Sequence, residues 1–579
     1  MKLLYKASFI LLVLLGIVSC FKSIYEPDVW WQIATGNWIL ENGTVPTIDV
    51  FSYTYEGEPW INVKWGSEVI MAFISNKFGV EFLGVLQAII LLLIGIVSYK
   101  TSHFFKENKN SDNFWKLAFC YAAVLFLFIV HYRLNGRPEL FSHLFTALIL
   151  YILMRYIRTD SWFVLWLIPL QIVWTNMHEA YGVGIVVSLL VTLTLWFEHL
   201  YFYKKHEVGI AKPPIKISLA MILSIVGIGL NPNGFKMILH PFNILGQLNE
   251  NKYTEELISF EMPGYWQYQS IGMVLIFVVL VYFIFKQKGS LFLRPIRTYG
   301  LAPTLLIGAF LYLSLTSFRN IPFFLIVTFP ILIHPFSLFL SKIGKPKQLL
   351  ILLLFIQAFF YITLINGKFY ETFLPQERYG LQIRAEMNPI GVSNFVKEEG
   401  IDGKGFVDYL SSSYFIANNP GFKSYIDLRD LDIFPTNFFD NVFFIYQNPN
   451  MPIQGGGTPW QFADSVDRFN YVVTLNNPQF QQFNRYLFHD NDDFILVYAD
   501  NLNSLYLRNT EKNKSLIEKY GYKRNKPIFR PTTPSTPPKM ATVLSSLFYW
   551  GYKPEKSKDF PVQEQGNSYY NYLGIQLGN

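Results

Sequence analysis

The sequence predicts a polytopic α-helical membrane protein of about eleven spans followed by an extracytoplasmic α/β domain. Three observations predict it. Apolar runs long enough to cross a bilayer recur from the N-terminus to about Gly367. Every alternate loop between them is rich in lysine or arginine. Beyond that point charge density rises and the apolar runs shorten. Composition agrees, because 51% of the 579 residues are hydrophobic, only 15% are charged, and the mean hydropathy is +0.25. The formal charge of +7 is no nucleic-acid footprint, since most basic residues of the first two thirds sit in loops that set orientation. The two cysteines, Cys20 and Cys120, lie in apolar runs and supply neither a disulfide framework nor a thiolate metal site.

The expected spans are roughly 5–24, 68–99, 114–131, 139–156, 161–176, 181–201, 215–230, 269–286, 298–316, 320–340 and 348–366. Lys2 and Lys6 start on the cytoplasmic side, and an odd number of spans leaves everything after Gly367 outside. Lys100 to Lys116, Arg155 with Arg158, Lys204 to Lys216, Lys286 to Arg297 and Lys342 to Lys347 share the cytoplasmic side. Two domains follow: 1–370, transmembrane, with an external loop 25–65, and 371–579, an outer α/β domain. Ile17-Val18-Ser19-Cys20 has the form of a lipobox, but many spans follow, so an uncleaved first span is favoured.

In the external loop, DVWWQIATGNWILENG reads as an amphipathic helix lying at the surface. The segment from Asn231 to Gln269 is a second external stretch, and Asn231-Pro-Asn-Gly reads as a helix-ending turn. In the outer domain GKGFVDYL, FKSYIDL, RFNYVVTL, DDFILVYAD and NSLYLRN read as strands. SSSYFIANN and FQQFNRYLF read as helices, and PTTPSTPP as a linker.

Unusual polar residues gather on the external side. Glu26 and Asp28 follow the first span and can share a divalent cation or act as base and partner. The plainer reading makes Asp28 a helix cap. His178 and Glu179 end the fifth span, where they can hold a proton, a metal or a phosphate, or simply form a turn. Arg133, Arg137 and Arg319 oppose the positive-inside trend, and guanidinium groups there suit a phosphate. Their plainer readings are an ion pair of Arg137 with Glu139 or Glu26, and headgroup snorkelling by Arg319. No nucleotide-binding loop or nucleophile elbow occurs, so an external site would draw on a lipid-linked donor.

The run EPDVWWQIATGNWIL from Glu26, then TVPTIDVFSYTYEGEPWINVKWGSEV from Thr44, resembles the first external loop of bacterial GT-C-type membrane glycosyltransferase-like proteins. RPELFSHLFTALILYIL, VWTNMHEAYGVG, LNPNG, SFRNIPFF and GFVDYLSSSYFIANNPGFKSYIDLRD are similar to later parts of that family. The resemblance implies a multi-pass protein of the bacterial inner membrane with a periplasmic C-terminal domain. It implies transfer of a sugar from a polyprenyl-phosphate donor to a lipid, polysaccharide or protein acceptor, with no nucleic acid involved. Asp28 matches the second Asp of the loop motif and is the expected base, with Glu26 in place of the first Asp. Gln32 replaces the usual His, and Lys64-Trp65 replaces Glu-Trp. His178 matches a family His, while Glu179 stands where small residues are common. The expected roles are catalytic for Asp28, Glu26 and His178, and substrate or phosphate binding for Arg133, Arg137, Arg319, Glu179 and Lys64. No metal is assigned, although Glu26 and Asp28 could hold one. A non-catalytic assembly scaffold and a transporter of lipid-linked sugars are the alternatives.

Overall fold

The computed structural model describes residues 1–107, 111–204, 213–242, 258–286, 300–429, 432–454, 456–523, 528–530, 532, 535–554 and 562–575. Parts of the expected external stretch Asn231 to Gln269, of the basic loops Lys204 to Lys216 and Lys286 to Arg297, and of PTTPSTPP lie outside these residues. The chain divides into two compact units. The first holds Met1–Lys22, Val63–Ser67 and Leu83–Tyr379; the second holds Ser23–Asn62, Glu68–Phe82 and Gly380–Asn579. Most of the loop 25–65 therefore groups with the C-terminal region.

Seven helices of the described residues are long and apolar enough to cross a membrane: Lys2–Cys20, Val80–Phe105, Asp112–Arg133, Glu139–Thr159, Tyr181–Tyr201, Phe318–Ile343 and Pro346–Ile365. Four shorter apolar helices, Trp162–Thr175, Ile215–Leu230, Tyr268–Tyr282 and Leu301–Thr316, occupy the other expected positions. Phe318–Ile343 is the most enclosed of the seven. It carries Pro330 and Pro335 internally, which a membrane helix tolerates when neighbouring groups satisfy the freed carbonyls.

The second expected span begins later than its hydropathy suggests. Trp65–Phe78 is a separate helix, and the span is Val80–Phe105. Glu68, at the start of that helix, is fully buried and accepts a hydrogen bond from Asn62 Nδ2 at 2.6 Å. A carboxylate held this way needs protein around it, not lipid.

In the second unit, four strands form one sheet: β1 Gly405–Val407, β2 Tyr471–Leu475, β3 Phe494–Ala499 and β4 Asn503–Arg508. Their order is β1-β2-β4-β3, with β1 parallel to β2 and the other pairs antiparallel. Val407, Val473, Leu505 and Leu507 on one face pack against Val392, Phe395 and Phe415 of the helices Ile390–Glu398 and Tyr409–Asn418. FKSYIDL is not a strand. Arg429 bonds back onto Asp427, through Nε to Oδ1 and Nη2 to Oδ2, both at 2.8 Å. That local fork bends the chain away from an extended course, leaving one isolated bridge, Ser52 to Ser424.

The helix Asp28–Asn42 also differs from expectation. It does not lie at a surface: Val29 to Gly36 are all buried. Gly36 explains the close approach, because a Cβ there would collide with the Glu68 carbonyl. Trp30 donates its Nε1–H to Asn388 Oδ1 at 2.7 Å, and its ring meets Tyr414 edge-on at 4.7 Å.

Asp408 caps the helix Tyr409–Asn418, accepting from the N–H groups of Leu410 at 3.1 Å and Ser411 at 2.9 Å through Oδ1. It is fully buried, and Oδ2 has no partner among the described residues. Burial pushes its carboxyl up to about 6, against the hydrogen bonds from Ser411 and Leu410 that pull it down. The native state then holds more protons than the unfolded chain between pH ~4 and ~6, so stability falls as pH rises through that window. Asp408→Asn keeps the cap and removes the titration. It is expected to flatten that slope and to add up to about 3 kcal/mol at pH 7, read as a higher melting temperature of the detergent-solubilised protein.

Candidate functional site

The polar residues singled out in the sequence fall into two groups. Lys64, Arg133, Arg137, His178, Glu179 and Arg319 belong to the first unit, and Glu26 and Asp28 to the second.

In the first unit the turn between Trp162–Thr175 and Tyr181–Tyr201 presents His178 and Glu179. The strap 63–67 docks onto it. Gly66 donates its N–H to the Asn176 carbonyl at 2.9 Å, Trp65 Nε1 donates to Asn176 Oδ1 at 2.9 Å, and Ser67 Oγ donates to the Met177 carbonyl at 2.8 Å. A Cβ on Gly66 would stand 2.7 Å from the Asn176 carbonyl oxygen, so this approach requires glycine. Asn231, expected as a turn, does form one. It is buried, and its Nδ2 reaches the Thr175 carbonyl and Asn176 Oδ1, both at 3.1 Å.

The strap brings Lys64 Nζ to 3.2 Å from Glu179 Oε2, while Arg319 Nη2 lies 3.1 Å from Glu179 Oε1. One carboxylate thus sits between two cations, and the trio carries a net single positive charge. Burial pushes the Glu179 carboxyl up, but the Lys64 ammonium, with His178 and Arg319, outweighs it and holds the group well below the usual carboxylate range. Glu179 is therefore an anion that orients Lys64 and Arg319.

His178 is buried. Trp174 Nε1 donates to Ser142 Oγ at 2.8 Å, which leaves the Ser142 hydroxyl to donate to His178 Nδ1 at 2.9 Å. The Ala180 N–H also points at Nδ1, at 3.2 Å. Two donors on Nδ1 place the ring proton on Nε2. No hydrogen bond among the described residues uses Nε2. Burial pushes the imidazole pKa down to about 4, against the attraction of Glu179 and Glu139. At neutral pH His178 is a neutral donor whose Nε2 proton finds no acceptor among the described residues.

Arg133 pairs with Glu139, both buried, and Glu139 Oε1 lies 3.7 Å from His143 Nε2 one helical turn on. The sequence offered Glu139 or Glu26 as the partner of Arg137. The 3-10 turn His131–Arg133 brings Arg133 back onto Glu139, the first residue of the helix Glu139–Thr159, and Arg137 is half-buried in the intervening turn. Arg319 acts electrostatically on both Glu139 and His143, which links the two pairs into one cluster.

Sequence reading missed Ser142 and His143. The i, i+4 spacing of Glu139 and His143 within one helix was the signal that could have found the second. It also missed Lys22, whose Nζ donates to Glu377 Oε2 at 2.7 Å, Asn135 Oδ1 at 2.8 Å and the His131 carbonyl at 3.0 Å, all in the first unit.

In the second unit Glu26 is buried, and Asp28 stands half-buried in the first turn of its helix. Pro27 occupies the cap position that the plainer reading gave to Asp28. Asp28 Oδ1 accepts from Trp31 Nε1 at 3.2 Å. Gln32 is buried, and its Oε1 has no partner among the described residues. Among the described residues no three His, Cys, Asp or Glu side chains form a group that could hold a metal.

Apolar helices at all eleven expected positions, followed by a small mixed sheet with helices, define a polytopic α-helical membrane protein. Among solved structures, the chain is similar to the oligosaccharyltransferase of Archaeoglobus fulgidus, captured with an acceptor peptide containing the NVT sequon tethered by a disulfide bond. That likeness has a TM-score of 0.50 and 11% identity, and it covers 97% of this chain and 80% of the other. What is shared at that identity is the fold. No protein-family profile and no curated protein matches the chain.

Proposed function

We propose that the protein is a membrane glycosyltransferase that moves a sugar from a polyprenyl-phosphate donor to an acceptor at the periplasmic face. The observation that carries this reading is the neutral, buried His178 whose Nε2–H is unused among the described residues, beside a cluster in which Lys64 and Arg319 outnumber Glu179. Such a group of donors suits a phosphate ester.

Asp28 takes the proton of the acceptor hydroxyl as its oxygen bonds to the anomeric carbon. The bond from that carbon to the donor phosphate oxygen breaks, with inversion, and polyprenyl phosphate leaves with the electron pair. Arg319 and Lys64 receive the charge that develops on the phosphate, with Arg133 and Arg137 as further contacts, and His178 donates through Nε2. Glu26 orients Asp28. Were a divalent cation bound, Glu26 and Asp28 would hold it, and it would supply further neutralisation of phosphate charge. The outer α/β unit binds the acceptor, whether lipid, polysaccharide or protein.

One observation favours a second reading. Arg133 and Arg319 are already paired with Glu139 and Glu179, which suits a scaffold that has kept the fold without the chemistry.

The test is transfer from polyprenyl-phosphate sugars by the whole protein in lipid nanodiscs. A hydrogen bond to a charged group contributes about 1.5–3 kcal/mol, so Arg319→Ala and Lys64→Ala are each expected to raise KM for the donor about 10- to 100-fold. Absence of transfer from any such donor, or variants with an unmoved KM, would support the scaffold instead.

A further inference from the structure

A cleft of about 760 Å³ opens among the helices Lys2–Cys20, Leu83–Ser102 and Asp112–Val130, with Phe329 also in its lining. That size falls within the range of small-molecule pockets, about 300–1,000 Å³. All of its lining residues lie in the first unit.

Its polar groups are unevenly placed. Lys6 stands near the start of the first helix, Lys100 near the end of the second and Lys116 near the start of the third. The second helix ends, and the third starts, near the loop joining them, so Lys100 and Lys116 share one mouth, and Lys6 lines it too. Tyr5 and Tyr99 stand beside them, where amphipathic rings favour a membrane interface. All three lysines are exposed, none forms an ion pair within 4 Å of a carboxylate among the described residues, although Asp112 acts on Lys116 from one helical turn away, and no acidic side chain lines the cleft. Everything deeper is aliphatic, aromatic, Gly, Ala, Ser98 or Cys120.

Depth is set by helix geometry. From Tyr5 to Gly16, and from Lys116 to Leu127, the lining runs about 16 Å along the axis at 1.5 Å per residue. That is close to half of a hydrocarbon core of about 30 Å, or one leaflet. Gly95 forms part of the wall, and a Cβ placed there would meet nothing within 4 Å.

We propose that this cleft binds an anionic phospholipid of the lysine-side leaflet, with its phosphate held by Lys6, Lys100 and Lys116 and an acyl chain lying along the apolar wall. Three lysines at a membrane surface alone would only set orientation. Placed at the mouth of a one-leaflet apolar cleft, they complement a molecule with an anionic head and a chain of that length. A polyprenyl chain is far longer than the cleft is deep, so the site is a phospholipid site and stands independently of the sugar-transfer reading.

Native mass spectrometry of the whole protein, titrated with phosphatidylglycerol, phosphatidylcholine or polyprenyl phosphate, tests this. Phosphatidylglycerol is expected to bind one per protein and at least tenfold more tightly than phosphatidylcholine. Each Lys→Gln change at Lys6, Lys100 or Lys116 is expected to weaken it about fivefold, and the three together roughly 100-fold. Gly95→Leu directs its side chain into open cleft, and is expected to displace the lipid while the protein melts as before. Equal retention of phosphatidylcholine, undiminished binding to Gly95→Leu, or tighter binding of polyprenyl phosphate would each overturn the proposal.

Discussion

Asp28→Asn is expected, on the proposed sugar-transfer mechanism, to lower kcat by about 10²–10⁴-fold, the usual contribution of a positioned general base. The change is nearly isosteric. Asn can still accept the Trp31 Nε1 hydrogen bond through its Oδ1, so the first turn of the helix Asp28–Asn42 should form as before. KM for the donor and the melting temperature are expected to stay within about twofold and about a degree of the parent. That split separates a base from a helix-end residue, whose loss would appear in stability first. A variant that turns over at the parental rate would remove Asp28 from the mechanism.

Arg429→Met is expected to destabilise the protein by about 3–5 kcal/mol, because it leaves two carboxylates buried without their cation. Arg429, Asp49 and Asp427 are each fully enclosed. The guanidinium forks onto Asp427, reaches Asp49 with its other arm, and stacks 5.1 Å from the Trp60 ring. Asp49 also accepts the Phe51 N–H at 2.9 Å and the Ser52 hydroxyl. Adding Asp49→Asn and Asp427→Asn to Arg429→Met neutralises the cluster and is expected to restore much of the loss. Thermal melts of the three proteins in one detergent decide it. Equal melting of Arg429→Met and the parent would mean that these charges do not hold the unit together.

Local patterns were legible wherever one physical preference ruled. Hydropathy located the apolar helices, β-branched and aromatic runs located Tyr471–Leu475 and Phe494–Ala499, and the alternation of Leu505 and Leu507 with polar or aromatic residues located Asn503–Arg508. It failed where a partner distant in sequence took over. DVWWQIATGNWIL has enough polar residues to suggest a surface, yet Gly36 and Asn388 bury it. FKSYIDL has strand chemistry, yet Arg429 folds it back on Asp427. The charges of the candidate site were visible as charges. Their pairing was not, because Arg319 meets Glu179 across 140 positions, and Arg133 was preferred to Arg137 by a turn geometry that composition does not encode.

The chain passes between its two units five times, at residues 22/23, 62/63, 67/68, 82/83 and 379/380. The second unit is therefore assembled from pieces made at opposite ends of synthesis. Trp30 waits for Asn388, 358 residues on, and Asp49 waits for Arg429, 380 residues on. At about 5–20 residues per second, that delay is on the order of 20–80 s. During it, an early segment carrying Trp30, Trp31 and Asp49 has emerged from the ribosome without its C-terminal partners. A chaperone that shields tryptophan-rich chain would have a defined client here, and a nascent polypeptide halted before residue 388 should be its preferred substrate.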